Sequence, residues 1–348
     1  MSLLHRLRGT SPPHSGGFAP GLFHFEKQDA SGGRARVHLR INPDFSGALI
    51  VNAARVYALN PSAALMAYLT LKEVPASQSG RAYQQVFQGK ARDFEAGLAS
   101  FQNQFASLIF PDGGCPVCDL ELEVNSPFSA SLSAPYRMDL ALTYRCNNEC
   151  SHCYNARARN YPELSTAEWQ QVLDRCWAQG IPHIVFTGGE PTLRGDLPQL
   201  VQHAESNGQI TGINTNGRRL ADAAFLGRLI SAGLDHIQIT LESNRPDIHD
   251  QMVLGKGAWQ ETVAGIKNAV ASKLYLMTNT TLLEANAPYL EETLHFLGEL
   301  GVPTVGLNAL IYAGKGAGVN TGLPEEALHP LLNLAHKITG QYGQKLIW

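Results

Sequence analysis

Two rhythms of apolar and polar positions divide the chain. From about residue 138 onward, short apolar runs alternate with longer amphipathic ones. Runs 138–144, 183–189, 210–216, 236–242, 274–282 and 304–310 predict strands. Segments 165–179, 196–207, 219–232, 259–271, 286–299 and 324–340 predict the helices between and after them. The strands are apolar without strict alternation, as strands buried on both faces are, and strand–helix alternation builds such strands into a parallel sheet. Ser165, followed three residues later by Glu168, makes a capping box for the first of these helices. Six units predict an α/β fold, a partial (β/α)6 TIM-like barrel, short of the eight that close a full one.

Residues 21–110 follow another pattern, that of a small α+β winged-helix-like domain. "GLFHFEKQ", "ARVHLRIN" and "GALIVNA" predict three short strands, with a turn at Gly32–Gly33 between the first two. Asn60 is placed as the N-cap of "PSAALMAYLTL", with Pro61 at its first position. Further on, Phe94, Leu98, Phe101, Phe105 and Leu108 recur at three- and four-residue steps, a stripe that predicts core packing on one helix face. Residues 1–20 are rich in Gly, Pro and Ser and predict a flexible leader. Residues 111–137 read as a linker, with Cys115 and Cys118 as a Cys-x2-Cys pair; 138–348 make the barrel domain.

Bulk properties narrow the function. The 348 residues carry a formal net charge of −3, so no basic field argues for nucleic acid. No apolar run reaches the roughly 20 residues that span a membrane. The N-terminus lacks the apolar core of a signal peptide, and a cytoplasmic, reducing location follows as the expectation. There, clustered cysteines mean metal or catalysis more often than disulfides.

Three of the six cysteines, Cys146, Cys150 and Cys153, fall within eight residues just after the first barrel strand. Other unusual motifs also sit at strand ends: "TGGEPT" after the second, "NTNG" at the third, "TLES" at the fourth, "NTT" late on the fifth. Parallel α/β sheets gather their working residues at this edge. Three thiolates can hold three irons of a [4Fe–4S] cube and leave the fourth iron for another ligand. A structural zinc site takes four ligands, and His152 is the nearest candidate for a fourth. A ferredoxin-type cluster needs a fourth cysteine, and three free thiols are the remaining reading.

Cys146-x3-Cys150-x2-Cys153 resembles the signature of the radical S-adenosylmethionine (SAM) superfamily, Cys-x3-Cys-x-aromatic-Cys. His152 takes the aromatic place, and Tyr154 follows one step later. Gly188, Gly189, Glu190 and Pro191 match the family's Gly-Gly-Glu-Pro motif, which implies contact with the methionine amine of SAM. There the glycines would admit close backbone approach and Glu190 would offer a carboxylate to the ammonium. Asn214, Thr215 and Asn216 resemble the strand-three motif near the ribose and methionine, although Asn216–Gly217 also reads as a plain turn. Residues 238–259 resemble the branch that often carries a C-terminal SPASM domain, with Thr240, Glu242 and Ser243 replacing its Ser-x-Asp-Gly. "GLNALIYAGKG", with Asn308, resembles the segment that covers the adenine. The resemblance implies a [4Fe–4S] cluster and SAM as cofactors, with reductive cleavage of SAM to a 5′-deoxyadenosyl radical.

The stretch "GALIVNAARVYALNPSAALMAYL" (47–69) resembles the PqqD-like precursor-peptide recognition element. There a leader peptide adds as a strand to a sheet edge. The two resemblances together imply a maturase of ribosomally made peptides, with a precursor peptide and an electron donor such as flavodoxin or ferredoxin as partners. The alternatives are a radical enzyme acting on a small molecule or tetrapyrrole, and a non-catalytic metal-binding adaptor. The chain stops at "GQKLIW", an apolar ending that looks like the start of a strand, with no cysteine after Cys176. A fragment lacking an auxiliary-cluster domain is the expectation, and Cys115 with Cys118 would be metal ligands completed by that segment or free thiols. Cys176 reads as a small buried hydrophobe, and His183, His203 and His295 as packing or surface residues.

Overall fold

The structure is a computed structural model and describes residues 18–29, 32–87, 91–110, 133–155 and 157–348. Most of the leader and linker, including Cys115 and Cys118, lie outside these residues. Two compact units are present, Met1–Tyr136 with Cys176–Pro182, and Arg137–Arg175 with His183–Trp348.

In the first unit, β1 (Gly21–Gln28), β2 (Arg34–Ile41), β3 (Gly47–Val51) and β4 (Arg55–Leu59) form an antiparallel meander in chain order. Helices α1 (Pro61–Leu71), α2 (Ala76–Val86) and α3 (Ala91–Ile109) follow. Among the described residues there are four strands where the sequence predicts three, and α2 lies where the sequence predicts no element. The extra strand exists because Asn52 and Ala53 both take left-handed backbone (φ 51° and 53°), the turn geometry that suits strand twist. Asn60 caps α1 as expected, its Oδ1 accepting from the N–H of Ala63 at 2.9 Å. Phe94, Leu98, Phe105 and Leu108 are buried with Val37, Leu39, Leu49 and Leu65 in one core, and Phe101 packs against it.

The second unit is a seven-stranded, all-parallel sheet in chain order: β5 (Arg137–Thr143), β6 (His183–Gly188), β7 (Ile210–Thr215), β8 (His236–Thr240), β9 (Tyr275–Thr281), β10 (Thr304–Asn308) and β11 (Lys345–Ile347). Its helices are α4 (Thr166–Ala178), α5 (Leu197–Asn207), α6 (Ala223–Ser231), α7 (Pro246–Val253), α8 (Ala258–Val270), α9 (Leu290–Glu299) and α10 (Glu325–Gln341). The chain-order parallel sheet is that of a partial TIM-like barrel. The final apolar run completes a seventh strand, Lys345 pairing with Thr304 and Ile347 with Gly306. Sequence reading also missed α7. The capping box holds, with the N–H of Ser165 on Glu168 Oε2 at 2.8 Å and the N–H of Glu168 on Ser165 Oγ at 3.3 Å. Phe186, Ile184, Ile213, Ile237 and Ile239 are fully buried strand residues, matched by Leu173, Leu200, Leu229 and Ile266 on the helices. This burial on both faces fixes the sheet and sends the ends of β5 to β10 to one edge.

Candidate active site

A cavity of about 380 Å³ opens at that edge. Cys146, Cys150, Cys153, Gly188, Gly189, Asn214, Thr215, Asn216, Thr240, Glu242 and Asn308 all line it. Residues far apart in sequence thus meet in one place. Glu190 and Pro191 are not on its surface.

The cysteine loop is held chiefly by its backbone. Arg159 donates to the carbonyls of Cys146 (2.6 Å) and Asn148 (2.5 Å), and Arg218 to that of Asn147 (2.5 Å). The N–H groups of Glu149 and Ser151 donate to the carbonyls of Val253 and Met252, at the end of α7. The side chain of Glu149 bridges Arg159 (2.6 Å) and Lys315 (2.9 Å). With the backbone so fixed, the three half-buried cysteines carry free thiols. Burial pushes the Cys146 thiol up in pKa, partly offset by the N–H of Asn148, 3.4 Å from its sulfur. Cys150 is pushed well above the ordinary thiol range by burial first, then by Glu242 and the two neighbouring cysteines.

This donor set fits an iron–sulfur cluster: three cysteines on one loop, facing one cavity, with a backbone N–H on a sulfur. It does not fit mononuclear zinc. Among the described residues no three Cys, His, Asp or Glu side chains converge closely enough to hold one ion, and the imidazole of His152 points its Nε2 at Glu242 (3.0 Å).

Gly188 and Gly189 also permit a close backbone packing. A Cβ at Gly188 (φ 140°) would lie 2.1 Å from the carbonyl oxygen of Thr143, and one at Gly189 would lie 2.4 Å from that of Arg145. The N–H of Gly189 donates to the carbonyl of Thr143 (2.7 Å) and that of Glu190 to the carbonyl of Arg145 (2.8 Å). The glycines let the strand-two turn dock against the start of the cysteine loop.

Glu190 is turned inward. Its side chain is 1% exposed, behind the cavity wall. Its Oε1 accepts from the N–H and hydroxyl of Thr192 (3.0 and 2.6 Å) and the hydroxyl of Thr215 (2.7 Å); its Oε2 accepts from the N–H of Asn216 (2.8 Å). Burial raises its pKa, and these hydrogen bonds pull against the rise. In this structure the carboxylate ties the strand-two turn to the end of β7. Pro191 starts a short 3-10 turn behind it. Asn216 both makes the expected turn with left-handed Gly217 and reaches the cysteine loop, donating to Asn147 Oδ1 at 2.7 Å.

Glu242 is equally buried, its Oε2 accepting from the N–H of Thr281 at 2.9 Å. Asn308 donates to Asn279 Oδ1 at 2.9 Å. Gly314 lies against the main chain of Cys153 and Tyr154, where a Cβ would be 2.4 Å from the Tyr154 carbonyl oxygen. Asn279, from the "NTT" motif of the fifth strand, and Gln238, which the sequence did not single out as a site residue, line the cavity from β9 and β8. The available signal was an amide at an otherwise apolar position near a strand end. Cys176 is buried as expected. His183 pairs with His236 (Nε2 to Nε2, 2.7 Å), His203 with Asp174 and His295 with Tyr342.

Residues 140–297 match the Radical SAM superfamily. The cofactors of that superfamily are a [4Fe–4S] cluster and SAM. Among curated proteins, the Fe-coproporphyrin III synthase of Methanosarcina barkeri is 32% identical over 208 residues, 59% of this chain and 51% of the relative. The PqqA peptide cyclase of Ruegeria pomeroyi is 34% identical over 173 residues, 49% of this chain and 46% of the relative. The chain thus spans about half the length of the curated relatives it matches. Streptococcus suis SuiB bound to its precursor peptide SuiA shares the fold, with a TM-score of 0.64 at 14% identity over 93% of this chain and 72% of that one. AdoMet-bound anSMEcpe superimposes with a TM-score of 0.52 at 15% identity, over 61% and 62%. Among the described residues, no helix is long and apolar enough to cross a membrane.

Proposed function

We propose that this chain is a radical SAM enzyme of the cytoplasm that modifies a ribosomally made peptide. The supporting observation is the single cavity that joins a three-thiol loop to the SAM-motif strand ends and to an uncharged amide wall. In this reading Cys146, Cys150 and Cys153 hold the cluster. Gly188, Gly189, Asn214, Thr215, Asn216, Thr240, Glu242 and Asn308 bound the space for SAM. Glu190 and Pro191 set the shape of that wall from behind. When bound, cluster and SAM together supply hydrogen-atom abstraction from an unactivated carbon. The protein's part is to orient both and to exclude water.

The chemistry of the wall favours a peptide. Gln238 and Asn279 present amide donors and acceptors, the groups that match a peptide main chain. A tetrapyrrole bearing several carboxylates, such as Fe-coproporphyrin III, wants free cations. Of the three cations that line the cavity, Arg159 and Lys315 are both tied to Glu149. The N-terminal unit supports the same reading. Its β4 is a sheet edge beside α3, with Arg55 and Tyr57 donating to the last carbonyls of that helix and Val56 exposed. An incoming leader strand would add at β4 through main-chain hydrogen bonds. Flavodoxin or ferredoxin would deliver the electron.

The test is anaerobic incubation of cluster-loaded protein with SAM, a reductant and, in separate reactions, the short peptide encoded beside its gene and iron coproporphyrin III. A mass change confined to the peptide is expected. A change confined to the tetrapyrrole would overturn the peptide reading, and SAM cleavage without either change would leave the peptide reading refuted for that partner.

A further inference from the structure

His152 and Glu242 are ninety residues apart in sequence, and each departs from the family pattern set out above. In the structure they touch. His152 Nε2 lies 3.0 Å from Glu242 Oε1, with side-chain exposures of 9% and 1%, and both residues line the cavity. His152 sits between two cysteines of the loop, and Glu242 lies just past the end of β8.

Glu242 is anchored at every polar atom. Its second oxygen accepts from the N–H of Thr281 (2.9 Å), its own N–H donates to His249 Nδ1 (3.1 Å), and its carbonyl accepts from Asn286 Nδ2 (2.7 Å). Asn286 also donates to the carbonyl of Thr281 (2.9 Å), which clamps the ends of β8 and β9 together. His152 is therefore held by a fixed acceptor.

Stability alone does not account for the pair. A buried ion pair or charge-assisted hydrogen bond seldom outperforms apolar packing of similar volume, because desolvation opposes it. A position that only had to fill space would be served by an aromatic ring. Removing either partner is a different matter, since the other is left buried and unpaired. The two residues thus behave as a coupled unit that fixes orientation.

We propose that the His152–Glu242 pair is a positioning device: it sets the attitude of the Cys150–Cys153 turn toward the end of β8, and with it the fit of SAM in the cavity. Neither residue need touch a reacting atom. This inference rests on the proposed binding of SAM at the site.

A double-mutant cycle on the cluster-loaded, full-length protein tests it, with His152→Phe, Glu242→Gln and the double variant. Three quantities are read: iron per chain, the dissociation constant for SAM by equilibrium dialysis, and the change in the reduced-cluster EPR spectrum on adding SAM. Each single variant is expected to weaken SAM binding tenfold or more and to blunt the spectral change. The double variant is expected to be no worse than the poorer single one. Should a variant fail to load iron, His152→Gln decides, because its amide keeps a donor for Glu242; it is expected to restore loading and SAM binding to within threefold of wild type. Effects that multiply in the double variant, a lowered Tm with unchanged SAM affinity, or no rescue by His152→Gln would overturn the proposal. Wild-type protein that loads a cluster but binds no SAM would instead refute the functional reading beneath it.

Discussion

A methyl group at residue 189 has nowhere to go. It would sit 2.4 Å from one carbonyl oxygen and 2.6 Å from another, both on the segment that leads into Cys146. Gly189→Ala must therefore push the cysteine loop away from β6. Iron per chain after anaerobic reconstitution is expected to fall below half of wild type, and full loading would show that the docking does not position the loop. At the opposite ends of the strands, His183 and His236 share one hydrogen bond across Gly212, where a Cβ would collide with the His236 ring at 1.9 Å. Burial, reinforced by Arg137, lowers the His236 pKa to about 4 from an ordinary 6.5, with Asp139 opposing. A base harder to protonate when folded contributes stability above pH 6.5 and loses it as pH falls toward 4. Up to about 3 kcal/mol is at stake over that window. Thermal unfolding between pH 7 and 4.5 should show Tm falling less steeply in His236→Gln than in wild type; equal slopes would contradict the assignment. The cysteines and the Gly-Gly-Glu-Pro motif were legible as residues. The inward turn of Glu190 and the meeting of His152 with Glu242 were not, because both depend on contacts between distant strands.

Elements were read well where periodicity is long and poorly where it is short. The six predicted barrel strands and their helices lie within a few residues of their observed limits, since each buries a sustained apolar face. β4 was missed because only Tyr57 and Leu59 of its five residues are buried. α2 and α7 were missed because their sequences, "ASQSGRAYQQV" and "PDIHDQMV", are largely polar. β11 is three residues long and takes its order from pairing with β10. The β3–β4 turn offers a test at this scale. Ala53 occupies left-handed backbone, which costs an L-residue about 1–2 kcal/mol and glycine almost nothing. Ala53→Gly should therefore stabilise the protein by about 0.5–1 kcal/mol, after allowance for the freer unfolded chain. Denaturant titration with an unchanged slope and a higher midpoint is the expected result, and a lower midpoint would mean that the turn does not carry this strain.

For the whole molecule, the barrel unit gathers one cavity from loops that belong to separate strands, and residues 140–297, which match the Radical SAM superfamily, supply most of its lining. That much was legible because the cysteine spacing and the strand-end motifs are local in sequence. The partner is less legible, because one relative is named for a tetrapyrrole and another for a peptide. What the three cysteines hold decides the function. The most direct measurement is iron counting with EPR on anaerobically reconstituted, reduced protein, with and without SAM, beside Cys150→Ala. About four irons per chain are predicted, with a signal that SAM reshapes and that Cys150→Ala abolishes. Colourless protein, one divalent ion per chain, or a spectrum indifferent to SAM would contradict it.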